Sequence, residues 1–529
     1  MRLTRALATL AFAIAAMGAA PKPAQSETFR FAFQGDLASL DPYTLYEGFT
    51  LGVLGNVYEG LVKRDKNLKI VPGLAETWEV LEPTRWRFHL RKGVKFQNGE
   101  DFTADDVVFS ADRARANGSD IKTMIPADAK FVKIDDNTVD VVLGSPNPIL
   151  NAEWSLWYIM SRKWAEANNS IAPQPASGQQ KNYAALHANG TGPFTIASHQ
   201  AGVRTAFKPN PNWWDKAEHN FDEVIFTTIS NDATRVAALL SGDVDWIDPV
   251  PLQDIARVNA SGNAHVLSGP EVRTIFLGFD QTRDQLLYSN VKGKNPFKDV
   301  RVRKAFYQAI DIEAIKARIM RGQATPSALL VSPLLFARSA EFKRFAYDPA
   351  AAKGLLADAG YPDGFETVLD CPNDRYINDE AICQAAVAML ARIGVKVVLN
   401  AQPKAKYFAK VLASGGFDTS FYLLGWTPAS LDSWNVLVNI VGCRDVKGRG
   451  QFNFGGYCNP KVEELAGKIV VETDVKKRDD MIAEAFRIVS EDVADIPLHQ
   501  QALAWGVSKT MTVVQPANNN ISFYRFRKG

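Results

Sequence analysis

Cysteine and histidine carry the most distinctive chemistry available to this chain, and neither is spaced for catalysis. The four cysteines fall into two local pairs, Cys371 with Cys383 and Cys443 with Cys458. Four cysteines allow three pairings, of which the local one is the simplest. The second pair encloses Gly448, Gly450, Gly455 and Gly456, and a bridge over a loop of that length contributes ~3 kcal/mol by restricting the unfolded chain. Zinc is the competing chemistry, but structural zinc calls for close ligand spacing. There is no C-x-x-C and no histidine nearby, so no metal is expected. The six histidines, His89, His187, His199, His219, His265 and His499, are scattered. No Gly-x-Ser-x-Gly elbow, His-Glu-x-x-His or phosphate-binding loop occurs, and Asp105-Asp106 reads as charge at a helix N-terminus. The chain is therefore expected not to be an enzyme and to need no cofactor. An exported hydrolase whose carboxylate pair assembles only in space is the enzymatic alternative.

Groups suited to holding a ligand are better represented. Asn373-Asp374-Arg375-Tyr376 lies between a strand-like run and a helix opening near Glu380. Such connections bind anions through backbone N–H groups and a nearby Arg. Arg375 is thus a candidate carboxylate ligand with Tyr376 beside it; the competing role is a surface ion pair with Asp374 or Asp379. Trp426 follows the apolar run Phe421 to Leu424, and cleft aromatics supply much of such binding energy. Tyr46, after Asp41-Pro42, is a further candidate. Trp154, Trp157 and Tyr158 stand at helical i, i+3, i+4 spacing, which serves core packing or, as the alternative, a ligand contact at Trp157.

The elements that position these residues alternate between strand and helix. Trp86 to Leu90 alternates apolar and polar as a half-buried strand does. Thr103, with Asp106 three positions on, caps a helix that points Val107, Val108 and Ala111 at a core. Glu380 to Ile393 reads as a helix burying Ile382, Val387, Leu390 and Ile393, stopped by Gly394; Val395 to Leu399 follows as a strand. A helix pair occupies Val300 to Met320 with Asp311 capping its second member, and Asp348-Pro349 opens another helix that ends at Gly360. Ala172 to Gln180 reads as a surface loop. The fold class is α/β, and 529 residues exceed what one core accommodates, so two lobes are expected.

The N-terminus sets the compartment. Arg2 and Arg5 precede the apolar run Ala6 to Ala16, which is too short for a membrane anchor, and Ala24-Gln25-Ser26 offers a cleavage site. A signal peptide over residues 1–26 is expected, with a mature start at Glu27 in the periplasm, where the disulfides also belong. The leader carries Arg2, Arg5 and Lys22 and no acid, so its removal turns the formal net charge of +2 slightly negative. That balance argues against nucleic-acid or membrane-surface partners, and no later segment is long and apolar enough to insert directly.

Several segments, in order along the chain, resemble the bacterial extracellular solute-binding proteins of the dipeptide, oligopeptide and nickel receptor family. They are Tyr58-Glu59-Gly60-Leu61-Val62, Pro72-Gly73-Leu74-Ala75-Glu76 with Trp78, and Trp86 through Leu90-Arg91-Lys92-Gly93-Val94-Lys95-Phe96 to Asn98-Gly99. Phe102 to Val107, Gly190-Thr191-Gly192-Pro193-Phe194, Ser241 to Asp245, Val300 to Phe306, Ala309-Ile310-Asp311, Ala359 to Phe365 and Gly425-Trp426-Thr427 complete the set. The resemblance implies the larger two-lobed periplasmic binding protein fold, with an extra subdomain in the first lobe and a hinge. Lobe I is expected over 27–271 and 506–529, its subdomain over about 58–187, and lobe II over 272–505. The chain crosses between lobes near Val272 to Asp280 and returns near Gln501 to Val507.

The implied function is the monomeric, ligand-capturing component of an ABC importer for di- or oligopeptides, partnered by an inner-membrane permease with its cytoplasmic ATPase. Peptide-binding relatives carry an acid two positions after Gly-Trp-Thr that pairs with the ligand ammonium. Here Gly425-Trp426-Thr427 continues as Pro428-Ala429, so that acid is missing, and Asp432 is the candidate substitute. A buried ammonium without a charge partner is costly. The departure keeps open a non-peptide ligand such as an opine, a metal chelate, haem or an oligosaccharide.

Overall fold

The computed structural model of the protein describes residues 27–529 except 38, 177–180, 447 and 473. The expected leader, 1–26, and the end of the loop at 172–180 lie outside the described residues.

The main sheet has 11 strands among the described residues. In chain order its principal members are β1 (Thr28–Phe33), β2 (Phe194–Gln200), β3 (Arg204–Pro209), β4 (Glu223–Thr228), β5 (Trp246–Asp248), β6 (Ala264–Phe279), β7 (Glu366–Pro372), β8 (Lys396–Gln402), β9 (Phe421–Trp426) and β10 (Asp495–Ser508). Their spatial order is β8-β7-β9-β6-β10-β5-β1-β4-β3-β2, and Ala324–Pro326 pairs with β10 off that path. One half holds parallel β1, β4 and β5, and the other parallel β7, β8 and β9. The antiparallel pair β6 and β10 belongs to both: β5 pairs the end of β10, and β9 pairs the end of β6. Their register slips between Pro270 and Thr274, an irregularity that bends and twists a strand locally. The limits expected at 271/272 and 505/506 fall inside these two strands.

Local sequence explains the elements that matter for the site. Phe29, Phe31 and Phe33 of β1 are buried by strand alternation. The helix α1 (Gly48–Leu54) is capped by Glu47, whose carboxylate accepts from the N–H groups of Phe49 and Thr50. The helix α2 (Ala104–Arg115) opens with the expected capping box between Thr103 and Asp106. The helix α3 (Asp379–Ala391) follows β7, and Gly394, at φ +88°, turns the chain into β8. The helices α4 (Lys404–Val411), α5 (Ser433–Asn439) and α6 (Val475–Glu491) belong to the second half. Val300 to Met320 forms two helical pieces, the second beginning at the Asp311 cap and widening into a π-turn over Ile315–Ile319. A separate four-stranded sheet, Ala75–Glu82, Arg85–Leu90, Thr138–Val142 and Lys130–Asp135, stands apart in the first half. Its apolar face packs on Trp154 and Trp157.

Both cysteine pairs are bonded locally. Cys371–Cys383 ties the end of β7 to α3 across the Arg375 turn. Cys443–Cys458 closes a loop whose Phe452 and Phe454 pack into the second half. Gly456, at φ +67°, leaves no room for a side chain, because a Cβ there would fall 1.7 Å from the Thr282 hydroxyl.

Candidate functional site

The two halves touch along a seam that encloses a cavity of about 1080 Å³, counting the part open to solvent. Its first-half wall is α1 and the turn after it, where Gly48, Gly52, Gly55 and Gly60 present bare backbone. Side chains at two of these glycines would collide with their neighbours: the Tyr158 hydroxyl lies 2.5 Å from a Cβ on Gly55, and the Trp157 carbonyl 2.7 Å from one on Gly60. The second-half wall is Thr427, Pro428, Ala429 and Leu431, and Arg273 enters from β6.

One corner concentrates buried charge. Glu47 approaches Arg375 Nε at 2.8 Å and Lys404 Nζ at 3.3 Å. The Arg375 contact is one of charge, since its N–H is not aligned on the carboxylate. Burial alone would raise the Glu47 carboxyl. The Arg375 and Lys404 cations, with the Thr50 amide and hydroxyl, instead hold it well below the usual carboxylate range. Arg273 donates through Nε to Glu271 at 2.8 Å, and Gln501 donates to the other Glu271 oxygen at 2.6 Å. The terminal Nη2 atoms of Arg273 and Arg375 lie 3.6 Å from the same point, the place a Cβ on Gly48 would occupy. Three buried cations therefore meet Glu47 and Glu271, and the half-buried Asp374 also faces Arg375 and Lys404. The two guanidinium ends converge where Gly48 leaves space, which suits a ligand carboxylate.

The turn carrying Arg375 is itself rigid. Asp379 accepts from the N–H groups of Arg375 and Tyr376, and burial pushes its carboxyl up to about 7 against those bonds. Asn378 adopts the left-handed region at φ +55°, which Asn tolerates better than most residues. Tyr376 is buried, donates to the Gly425 carbonyl at 3.2 Å, and places its ring 5.0 Å from the Arg375 guanidinium and 5.8 Å from that of Arg273. It supports the cations from beneath.

The opposite corner has no carboxylate in the expected position. Ala429 is buried beside Trp154 and Trp157, and its carbonyl accepts from Ser155 Oγ at 3.3 Å and from Arg64 at 3.4 Å. Arg64 also donates to the carbonyls of Ser430, Leu68 and Ala152. Burial lowers its pKa to about 10. Glu153, close by in sequence to Ser155, accepts from Asn147, and burial raises it to about 8.

Of the residues expected at the site, Tyr46 lines the cavity, set edge-on against Trp426 (5.4 Å) and Phe452 (5.7 Å). Trp426 stands behind it, 4.8 Å from Phe452, with Nε1 donating to Asn435 at 2.9 Å. Arg375 and Tyr376 form the charged corner. Asp432 accepts from the Trp434 N–H as the α5 cap and pairs through both oxygens with Arg478. Both of its oxygens therefore have partners within the chain. Trp157 is fully buried, donates to the Tyr43 hydroxyl at 3.1 Å and packs on Trp154 at 5.0 Å, so its packing alternative describes its position. Sequence reasoning missed Glu47, Lys404, Arg273 and Arg64. A charged residue inside the apolar strand Val272–Phe279, and an acid just before Gly48 in a helix-cap position, were signals for two of them.

Comparison with known proteins places this geometry. The family described as bacterial extracellular solute-binding proteins, family 5 Middle, matches residues 69–448. The glutathione-binding protein GsiB of Salmonella typhimurium is 26% identical over 487 residues, covering 91% of this chain and 90% of that protein. The Shigella dysenteriae GsiB is 25% identical over 486 residues, at the same shares. Among solved structures, AgaA from A. tumefacien in complex with agropinic acid superposes with TM-score 0.83 at 24% identity, covering 95% of this chain and 99% of that one. The Helicobacter pylori DppA in complex with peptide STSA gives 0.82 at 23%, covering 94% and 97%. A Pseudoalteromonas dipeptide binding protein in complex with Met-Leu gives 0.83 at 21%, covering 95% and 100%. At those identities the superpositions establish the two-lobed fold.

Proposed function

Because the chain belongs to the family 5 bacterial extracellular solute-binding proteins, we propose that it is the periplasmic receptor of an ABC importer and captures short peptides between its lobes. The observation that carries this reading is the cavity itself, walled by both halves and charged at one end. A ligand carboxylate lodged at Gly48 pairs with Arg273 and Arg375, while Tyr46, backed by Trp426 and Phe452, packs on its apolar body. Contacts made by both lobes at once favour the closed arrangement over the open one. The register slip at Pro270–Thr274 and its partner segment on β10 serve as the hinge, lobe I being 27–271 with 506–529 and lobe II being 272–505. A leader over 1–26 delivers the mature chain as a monomer to the periplasm, where the closed form is read by the membrane permease. No turnover is part of this role.

Ala429 favours one second reading. With no acid there, a carboxylate-bearing ligand that lacks a free ammonium, an opine for example, meets the same cationic corner without an unpaired charge.

Native mass spectrometry of the protein recovered undenatured from a periplasm separates the two. A releasable mixture of short peptides supports the peptide receptor, whereas one discrete non-peptide mass moves the assignment to an opine-like ligand. Calorimetry with Met-Leu, its C-terminal amide and its N-acetyl form then reads each end. Equal affinity for the acid and the amide would remove the carboxylate role of Arg273 and Arg375, and chemical conversion of any bound ligand would overturn a pure binding role.

A further inference from the structure

Away from the charged corner, another polar contact bridges the lobes, and its hydrogen bonds do not close while its carboxylate is ionised. Asp120 sits in the loop after α2, with its N–H held by the Tyr43 carbonyl. Gln451 sits in the Cys443–Cys458 loop of the other lobe, flanked by Gly450 and Phe452, whose N–H groups bond to the Val438 and Asn439 carbonyls. Gln451 Nε2 donates to Asp120 Oδ1 at 3.1 Å. The remaining oxygens, Asp120 Oδ2 and Gln451 Oε1, are both buried and both without a partner. Rotating the amide only sets its oxygen against the carboxylate, so no choice of amide orientation satisfies both acceptors while Asp120 is ionised. A single proton on the carboxyl does satisfy them. A neutral carboxyl and a primary amide are complementary, each donating once and accepting once.

We propose that Asp120 and Gln451 form a protonated latch between the lobes, the Asp120 O–H donating to Gln451 Oε1 while Oδ1 accepts from Nε2, so that closing the lobes takes up one proton. The latch rests on the hinge-closing reading above but involves neither Arg375 nor the cavity wall. The surroundings agree with it. Lys122, on Asp120's own loop, is the charged group that faces the carboxyl. Arg113, on the preceding helix, is closed on Asp41, and Arg449, on the opposing loop, is closed on Glu463. Burial raises the carboxyl from 3.8 to about 7, against the lowering influences of Gln451 and Lys122. In an open form, where water solvates the carboxylate, its pKa returns towards the ordinary value. The sign follows from linkage. A proton bound more tightly in the closed form favours closure fully below about pH 4, and that preference is lost as pH rises to about 7.

The test uses lobe separation and requires no knowledge of the natural ligand. All four native cysteines are bonded, so exposed Val80 and Val475, on opposite lobes, can be replaced by cysteine and spin-labelled. Electron–electron distance measurements on the full mature chain between pH 4.5 and 8.5 should show the closed-to-open ratio falling by about 10- to 1000-fold. In the Asp120→Asn variant, whose amide pairs with Gln451 at every pH, the ratio should stay at its acidic value throughout. In Gln451→Met, which removes the partner at similar volume, the carboxyl loses an influence that lowers its pKa, so the pH dependence should persist while the open form gains at every pH. The proposal is overturned if the wild type shows no pH dependence, or if D120N titrates as the wild type does. Adding Met-Leu at pH 8 keeps the two readings apart. Shortening by the peptide without a pH effect retains the receptor and rejects the latch, whereas distances fixed under every condition reject hinge closure as well.

Discussion

Replacing Glu47 by Gln removes the negative centre on which Arg375 and Lys404 converge and leaves the size of the side chain almost unchanged. Glu47 is essentially inaccessible, and the Arg375 and Lys404 side chains are only 7% and 3% exposed, so solvent screens little of the loss. Removing one partner from a buried ion pair typically costs 3–5 kcal/mol, because the surviving charge is left uncompensated. The Gln oxygen still accepts from the first turn of α1, so the cap contributes at most ~1 kcal/mol of further loss. We expect E47Q to be destabilised by about 3–4 kcal/mol in urea unfolding at pH 7, and R375Q by a comparable amount. The double variant should be less than additive, with a coupling of at least ~2 kcal/mol. The pH dependence has a defined sign. Glu47 is held below its ordinary pKa of 4.5, so its contribution is complete above that value and is lost as pH falls through the depressed folded value. E47Q should therefore lose less stability than the wild type on acidification below pH 4.5. The variant also leaves more uncompensated positive charge beside Gly48, so a carboxylate ligand should restore more stability to E47Q than to the wild type. Additive single and double variants, or an E47Q protein within ~0.5 kcal/mol of the wild type, would refute the charge accounting at this corner.

Other outcomes follow from the same contacts. D432A, which removes the α5 cap and the partner of Arg478, should lower stability by about 1–3 kcal/mol while leaving the affinity for Met-Leu unchanged by calorimetry. W426F leaves the Asn435 oxygen without its donor and takes a ring edge from Tyr46; unfolding should show a loss of about 1–3 kcal/mol, with weaker ligand binding. Replacing Cys443 and Cys458 together by serine should cost ~3 kcal/mol by the chain-entropy account, read as a lowered thermal midpoint without reductant.

The fold was legible wherever local rules decide it. Thr103 with Asp106, Asp311, Asp348 and Gly394 each signalled a helix boundary that tertiary structure had no cause to move. The cysteine pairing was legible for the same reason, since both bridges close short loops. The site was legible only in part. Arg375 and Tyr376 stand out because a strand-to-helix turn has a recognisable shape, but the partners that define their electrostatics are distant in sequence. Glu47 precedes Arg375 by over 300 residues, and Arg273 reaches the same spot from a third element. Nothing in their local sequence indicates that convergence. Asp432 illustrates the opposite case. Proximity to Ala429 in sequence suggested a ligand role, whereas the geometry of α5 and Arg478 had already taken both oxygens.

The crossing strands also bear on how the molecule is made. β10, at Asp495–Ser508, lies between β5 and β6 in the central sheet, so the lobe that begins at Thr28 cannot complete its sheet until nearly the whole chain has emerged. The second half of the sheet, whose other strands lie between β6 and β10 in the chain, also waits for the first half of β10. Assembly therefore ends with one late strand slotting between partners over 200 residues upstream, a non-local step of the kind that slows folding. Until then, the edges of β5 and β6 stay unpaired and open to association with other chains. The continuity that joins the lobes through a hydrogen-bonded sheet thus makes the C-terminal segment the kinetic gatekeeper of the native state.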